Sequence, residues 1–110
     1  MKVNHLNILL LAAACISLSS PAFADEVVVK MKDWLFKPAA ITIKAGDTVV
    51  WVHEDEDDPH NVIFEDASIK GSETIKYGKQ FKVVFDKAGE YKYYCRFHRD
   101  NGMRGVVIVK

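Results

Sequence analysis

Residues 94–105 read YCRFHRDNGMRG and place three candidate metal ligands, Cys95, His98 and Met103, in one loop between two segments of strand character. With the spacing Cys-x2-His-x4-Met, a loop of this length can turn a thiol, an imidazole and a thioether towards a single point. Gly102 permits the tight backbone turn that brings Met103 back to the other two. A fourth ligand has to come from elsewhere, and His60, directly after a proline at a predicted strand entrance, is the natural candidate.

This donor set indicates copper. Two imidazoles, one thiolate and a weakly held thioether are the ligands of blue-copper electron-transfer sites. Structural zinc sites, by contrast, are usually closed by several cysteines. Each of these residues alone is more often an ordinary core or surface residue, but their joint spacing is typical of a metal site. We therefore predict one copper ion, cycling between Cu(I) and Cu(II), bound by His60, Cys95, His98 and Met103.

The rest of the chain predicts an all-β domain. Short segments rich in β-branched and aromatic residues alternate with turn residues, and no stretch keeps a helical period. The predicted strands cover residues 27–31, 40–44, 48–52, 60–64, 80–85, 90–95 and 105–109. Seven or eight strands at this spacing favour a Greek-key β-sandwich. Residues 66–79 are compatible with a loop, a short helical turn or an irregular edge strand.

The N-terminal residues predict a signal peptide. Lys2 is followed by an apolar run over residues 6–15, and the small-residue pattern Ala22-Phe23-Ala24 suits cleavage between Ala24 and Asp25. A lipid anchor at Cys15 is the weaker alternative. We expect residues 1–24 to be removed, residues 25–110 to form a single domain, and the protein to be periplasmic without a membrane anchor.

Cysteine content and charge narrow the function further. The segment from residue 25 onward keeps Cys95 as its one cysteine, and a free thiol in an oxidising compartment needs burial or a metal. All 15 acidic residues and 14 of the 15 basic residues lie in this segment, giving a net charge of −1. This balance does not indicate a nucleic-acid or membrane partner, and we expect a monomer.

Three further segments resemble the plastocyanin, amicyanin and pseudoazurin group of the cupredoxin family. These segments are KAGDTVVW (residues 44–51), PHNV (59–62) and AGEYKYYC (88–95). The resemblance covers nearly all of residues 25–110. It implies that His60 and His98 are the nitrogen ligands, Cys95 the thiolate and Met103 the axial ligand of a type 1 copper site.

The sequence departs from this family at two places beside the ligands. The family usually has Ser or Thr after the cysteine and Pro before the second histidine, where this chain has Arg96 and Phe97. In the family, the residue at Asn61 ties the two ligand loops together through that hydroxyl. The departures therefore concern the hydrogen bonds around the ligands, which help to set the reduction potential.

Three other features of the sequence predict structural roles outside the ligand set. Tyr91 stands where related sandwiches have a tyrosine corner, with its hydroxyl bonded to the backbone of a crossover loop. The acidic run at residues 54–58 is interpreted as a solvated loop, although it could steer a partner electrostatically. His53 is expected to end a strand in solvent.

Several classes of protein use a copper site, and among them the sequence favours a one-electron carrier. An electron carrier needs one saturated copper and partners such as a cytochrome, a dehydrogenase or an oxidase. A periplasmic copper carrier or chaperone is the alternative, but such proteins tend to be rich in Met or His, and only Met31 adds to Met103 after residue 24. A multicopper enzyme would need paired histidines of the His-x-His kind, which the sequence lacks. We therefore predict that the protein is not an enzyme. A metal-free interaction domain is a further alternative, but the spacing of Cys95, His98 and Met103 would then have no explanation.

Overall fold

The structure is a computed structural model that describes residues 24–110. The predicted signal peptide, apart from Ala24, and Cys15 lie outside these residues. Within residues 24–110, no helix is long and apolar enough to cross a membrane.

The described chain is all-β, with eight strands and one 3-10 turn, which confirms the predicted fold class. The strands are β1 (Glu26–Lys32), β2 (Leu35–Lys37), β3 (Ala40–Ile43), β4 (Thr48–His53), β5 (Ile63–Phe64), β6 (Gln80–Val84), β7 (Gly89–Tyr94) and β8 (Arg104–Val109). The 3-10 turn, Arg99–Asn101, lies between β7 and β8.

The strands form two four-stranded sheets, with the orders β2-β1-β4-β6 and β3-β8-β7-β5. The β1–β4 and β3–β8 pairs are parallel, and the other pairs are antiparallel. Alternation decides which side chains face inward, since successive residues of a strand point to opposite faces. In β1, Val29 and Met31 are buried while the lysines beside them are exposed.

An aromatic core joins the two sheets. Trp51 of β4 is fully buried and packs edge-on against Tyr93 of β7, with ring centroids 5.3 Å apart, and against Phe64 of β5 at 6.0 Å. Edge-to-face contacts of this kind are a favoured geometry for aromatic pairs. Because β7 leads directly into the loop that carries Cys95, this core fixes one end of that loop.

The strand predicted at residues 60–64 is shorter in the structure. The backbone of His60 and Val62 bonds to the irregular segment 66–79: Ile75 N–H donates to the carbonyl of His60, and Ser72 N–H to that of Val62, both at 2.8 Å. The pairing of β5 with β7 therefore begins only at Ile63. In segment 66–79, which the sequence left open, the isolated bridge from Ile75 to His60 is the one element of regular pairing described.

A short hairpin, β1–β2, was not predicted. Its two-residue turn consists of Asp33 and Trp34, both at positive φ (57° and 61°). Positive φ at both central residues is typical of the type I′ turns that fit hairpins, in which Asp is common at the first position and Gly at the second. Trp34 occupies the second position here. Elsewhere, the predicted tyrosine corner is confirmed, because the Tyr91 hydroxyl donates to the Lys87 carbonyl at 2.6 Å.

Candidate metal centre

The four predicted ligands all lie inside one end of the sandwich. Cys95 follows the last residue of β7, Met103 precedes β8, and His98 lies in the loop between them, while His60 comes from the connection between β4 and β5. His60, Cys95 and Met103 are fully buried, and His98 is 7% exposed. Cys95 is a free thiol.

Three of these residues converge on one point. Sγ of Cys95 lies 3.8 Å from Nδ1 of His60 and 3.8 Å from Nδ1 of His98. One donor atom from each of the three residues falls within 4.8 Å of the others. Metal–nitrogen and metal–sulfur bonds of about 2.0–2.3 Å, as for zinc, place two donors on one metal about 3.3–3.8 Å apart. The spacing of the thiolate and the imidazoles therefore fits a single bound ion.

The loop from Cys95 to Met103 is closed by its own backbone. Cys95 N–H donates to the Met103 carbonyl at 3.1 Å, and Met103 N–H donates to the His98 carbonyl at 3.2 Å. Gly102 has a φ of 89°, a left-handed conformation that residues with a Cβ rarely adopt. The expected role of Gly102 is confirmed, because this turn returns the chain to Met103.

Asn61 joins the two ligand-bearing segments without any hydroxyl from residue 96. Its side-chain oxygen accepts a hydrogen bond of 2.8 Å from the backbone N–H of Arg96. Asn61 is buried, while Arg96 is exposed. Since the donor is a backbone group, the tie does not depend on the side chain that follows Cys95.

Asp55 holds the outer nitrogen of His60. Nε2 of His60 lies 2.7 Å from a carboxylate oxygen of Asp55. Burial of Asp55 raises the pKa of its carboxyl, but hydrogen bonds from His60 and from the N–H groups of Asp33 and Trp34 outweigh burial, and the pKa lies below its ordinary value. The ionised carboxylate can only accept hydrogen bonds, so Nε2 carries the proton. Nδ1 is thereby left free to bind a metal, an arrangement common for metal-ligating histidines.

Burial dominates the electrostatics of His60. It lowers the pKa of the imidazole below its ordinary value, although the hydrogen bond to Asp55 acts in the opposite direction. A lowered pKa keeps His60 neutral, and a neutral imidazole is the form that binds metals.

The expectation that His53 ends its strand in solvent is wrong. His53 is 1% exposed. The loop after β4 folds back over the ring, so that Nε2 donates to the Asp58 carbonyl at 2.6 Å and Nδ1 accepts from Asp55 N–H at 3.1 Å. Both ring nitrogens are therefore occupied within the protein.

The interpretation of residues 54–58 as a solvated loop is also wrong in part. The side chain of Asp55 is only 11% exposed and accepts hydrogen bonds from three groups. Asp58 accepts a 2.8 Å hydrogen bond from the indole N–H of Trp34. Of this run, Glu56 and Asp57 are exposed. The sequence pattern could not separate these roles, because Asp33 and Trp34, which donate to Asp55 and Asp58, are more than 20 residues away in a turn that was not predicted.

Trp34 is the site residue that sequence reasoning missed. Its indole stacks on the His98 ring, with centroids 4.4 Å apart and an interplanar angle of 28°. Trp34 is 40% exposed, so it lies between His98 and solvent. The unusual sequence Lys-Asp-Trp-Leu at the tip of a short hairpin is the only trace of this role in the sequence.

Comparison with known proteins agrees with this geometry. The family model of the cupredoxin-like domain matches residues 6–109. Amicyanin from Paracoccus versutus is 41% identical over 93 residues, covering 79% of this chain and 67% of that protein. Plastocyanin from Scenedesmus fuscus is 34% identical over 86 residues, covering 69% of this chain and 87% of that protein. A purple cupredoxin from Nitrosopumilus maritimus superposes with a TM-score of 0.67 at 28% identity, over 76% of this chain and 99% of that one.

The chain belongs to the cupredoxin family. The predicted family and sandwich fold are therefore confirmed. The cluster of His60, Cys95 and His98 fits a type 1 copper centre, so the cofactor is one copper ion and the protein is a one-electron carrier.

Proposed function

We propose that this protein is an exported type 1 copper protein that carries single electrons between redox partners, with His60, Cys95, His98 and Met103 as the four copper ligands. One observation carries the proposal: a buried free thiol lies 3.8 Å from the inner nitrogens of two histidines. No other arrangement of the described residues 24–110 combines a thiol with two imidazoles. The thioether of Met103, in the same buried loop, completes the donor set of a blue-copper site.

The chain's own residues account for the properties that an electron carrier needs. Copper, when bound, supplies the one-electron couple. Cys95 and Met103 are held by the backbone bonds that close their loop, and His60 is oriented by Asp55. Ligands that are fixed before the metal changes its charge have little to rearrange, which keeps the reorganisation energy low. Burial of the ligands excludes water from the donors.

We also propose that the protein is not an enzyme. Besides its two histidine ligands, the segment after residue 24 has one more histidine, His53, and both nitrogens of this ring are hydrogen-bonded. A second copper site would need free imidazoles. We therefore assign the protein a carrier role between two redox proteins, such as a cytochrome, a dehydrogenase or an oxidase, and expect it to act as a monomer.

Export is the second part of the proposal. Residues 1–24 have the pattern of a signal peptide, and cleavage after Ala24 would leave Asp25 as the first residue. Asp25 N–H donates to the carboxylate of the buried Asp47 at 2.9 Å. Cleavage would turn this N–H into an ammonium group, and a charge-assisted hydrogen bond is stronger than a neutral one. The periplasm is the proposed location.

Repeated redox cycling tests the carrier role. The copper-loaded protein is reduced with ascorbate and reoxidised with ferricyanide several times in the presence of a competing Cu(I) chelator. A carrier retains its copper through all cycles and shows one reversible one-electron couple. Loss of copper to the chelator in the first reduced state would instead support a copper-delivery function.

A further inference from the structure

We infer that the carboxylate of Asp55 positions both imidazoles of the metal site, His60 by a direct hydrogen bond and His98 through the indole of Trp34. The inference deepens the proposed function by naming the residue that couples the two histidine ligands. Asp55 is a positioning residue, since it touches no donor atom of the site.

The hydrogen bonds of Asp55 connect two separate parts of the chain. Oδ2 accepts from Nε2 of His60 at 2.7 Å and from the backbone N–H of Trp34 at 3.2 Å, while Oδ1 accepts from the backbone N–H of Asp33 at 2.8 Å. Three donors on one carboxylate leave little freedom for any of them. A displacement of the 33–34 turn therefore acts on His60, and a displacement of His60 acts on the turn.

The turn needs this support because the backbone conformation of Trp34 is one that a bulky side chain disfavours. Asp33 and Trp34 both have positive φ, a region in which a side chain is crowded by the backbone. Trp is one of the bulky residues for which positive φ is a real outlier. The Asp55 carboxylate stabilises the turn by accepting both of its N–H groups, and Asp58 adds the bond from the indole N–H.

The 33–34 turn also determines how far His98 is shielded from solvent. The Trp34 indole stacks on the imidazole at 4.4 Å, and His98 is left 7% exposed. If the turn moved, the indole would leave the ring and His98 would face solvent. The carboxylate of Asp55 thus orients His60 on one side and keeps His98 covered on the other.

A comparison of Asp55→Asn with Asp57→Asn tests this inference. Both variants remove one negative charge from the same loop, but Asp57 is exposed and takes part in none of these hydrogen bonds. An asparagine at position 55 has one oxygen acceptor and an NH₂ donor, so it cannot accept from all three groups. The His98 ring resonances are measured by NMR in the metal-free protein, where the ring current of Trp34 shifts them.

We expect Asp55→Asn to move the His98 ring resonances towards their unstacked positions, and Asp57→Asn to leave them unchanged. In the copper-loaded protein, Asp55→Asn should also raise the reduction potential, because His60 loses the carboxylate that makes it a better donor to the oxidised metal. Unchanged His98 resonances in Asp55→Asn, or equal shifts in Asp57→Asn, would overturn the inference. The metal-free readout stands even if the proposed redox function fails.

A second set of variants tests the coupling in the opposite direction and leaves Asp55 intact. Trp34→Ala removes the stacked ring, and Leu35→Ala is its matched control, since Leu35 is a neighbouring apolar residue of similar exposure. Exchange of the His60 Nε2–H with water should be several-fold faster in Trp34→Ala and unchanged in Leu35→Ala, with Trp34→Phe restoring slow exchange. Equal exchange in Trp34→Ala and the unmodified protein would overturn the coupling.

Discussion

The side-chain oxygen of Asn61 accepts a hydrogen bond of 2.8 Å from the backbone N–H of Arg96. Asn61 follows His60 and Arg96 follows Cys95, so this one bond joins the neighbours of two candidate copper ligands. Because the donor is a backbone group, the bond does not depend on the side chain at position 96 and is compatible with arginine there.

The Asn61 bond yields a test by paired variants. Asn61→Ala should lower the free energy of unfolding by about 0.5–1.5 kcal/mol from the lost hydrogen bond alone, and it should broaden the copper absorption band. Arg96→Ser should change neither quantity to the same degree, because the donor is the backbone. Denaturant unfolding and visible spectra provide the measurements. An Arg96→Ser variant that is as unstable as Asn61→Ala would show that the arginine side chain, rather than the backbone, makes the tie.

Met103→Leu tests the proposed axial ligand. A leucine has a similar volume, and such swaps usually cost less than about 1.5 kcal/mol, so the fold should be retained. The variant should still bind copper, but its reduction potential should rise because the oxidised ion loses a sulfur donor. Voltammetry of the copper-loaded protein measures the change. A potential and a spectrum identical to those of the unmodified protein would remove Met103 from the ligand set.

Asp47 provides a test by pH. Its carboxylate accepts hydrogen bonds of 2.9 Å from the backbone N–H groups of Asp25 and Lys44. These bonds hold the pKa of Asp47 below its ordinary value. A lowered pKa in the folded state means that the contribution to stability is complete above the unfolded pKa of about 3.9 and is lost as the pH falls through the folded value.

Asp47→Asn should therefore be less stable than the unmodified protein at neutral pH, and the difference should shrink as the medium is acidified below about pH 3.9. Thermal unfolding across this range measures the effect. If the exported protein begins at Asp25, the variant should lose more stability in the processed protein than in the precursor. A stability difference that is the same at every pH would mean that the carboxylate charge plays no part.

The exposed acidic residues of the 54–58 loop should affect the rate of electron transfer to a charged partner. Neutralising Glu56 and Asp57 together should speed oxidation of the reduced protein by ferricyanide, an anion, by a few-fold at low salt, because repulsion near the site is removed. The effect should disappear at high salt, where charges are screened. Stopped-flow measurements with and without added salt provide the check, and identical rates at low salt would mean that these acids are too far from the contact surface to matter.

Much of this architecture could be predicted from local patterns. The strands predicted at 27–31 and 105–109, which are rich in β-branched residues, agree with the structure to within one residue at each end. The convergence of Cys95 and His98 was predicted from their spacing in one loop. His60 was predicted as a ligand from its place after Pro59, although β5 begins only at Ile63.

What could not be predicted depends on contacts between distant segments. Trp34 and Asp55 are 21 residues apart, and neither has a local signature for the hydrogen bond that joins them. The turn at 33–34 has Trp34 where a hairpin turn of this type usually has Gly, and the support for its positive φ comes from another loop. His53 was misjudged for the same reason: a histidine at the end of a strand is buried only if a later loop folds over it.

A visible absorption spectrum shows whether Cys95 and the two histidines bind one copper ion as a type 1 site. The unmodified protein and Cys95→Ser are each mixed with one equivalent of Cu(II) under mild oxidant. We expect the unmodified protein to show an intense visible thiolate-to-copper band that ascorbate removes and reoxidation restores, and Cys95→Ser to be folded but colourless. A colourless unmodified protein, or a band that survives in Cys95→Ser, would mean that Cys95 does not bind copper in a type 1 site.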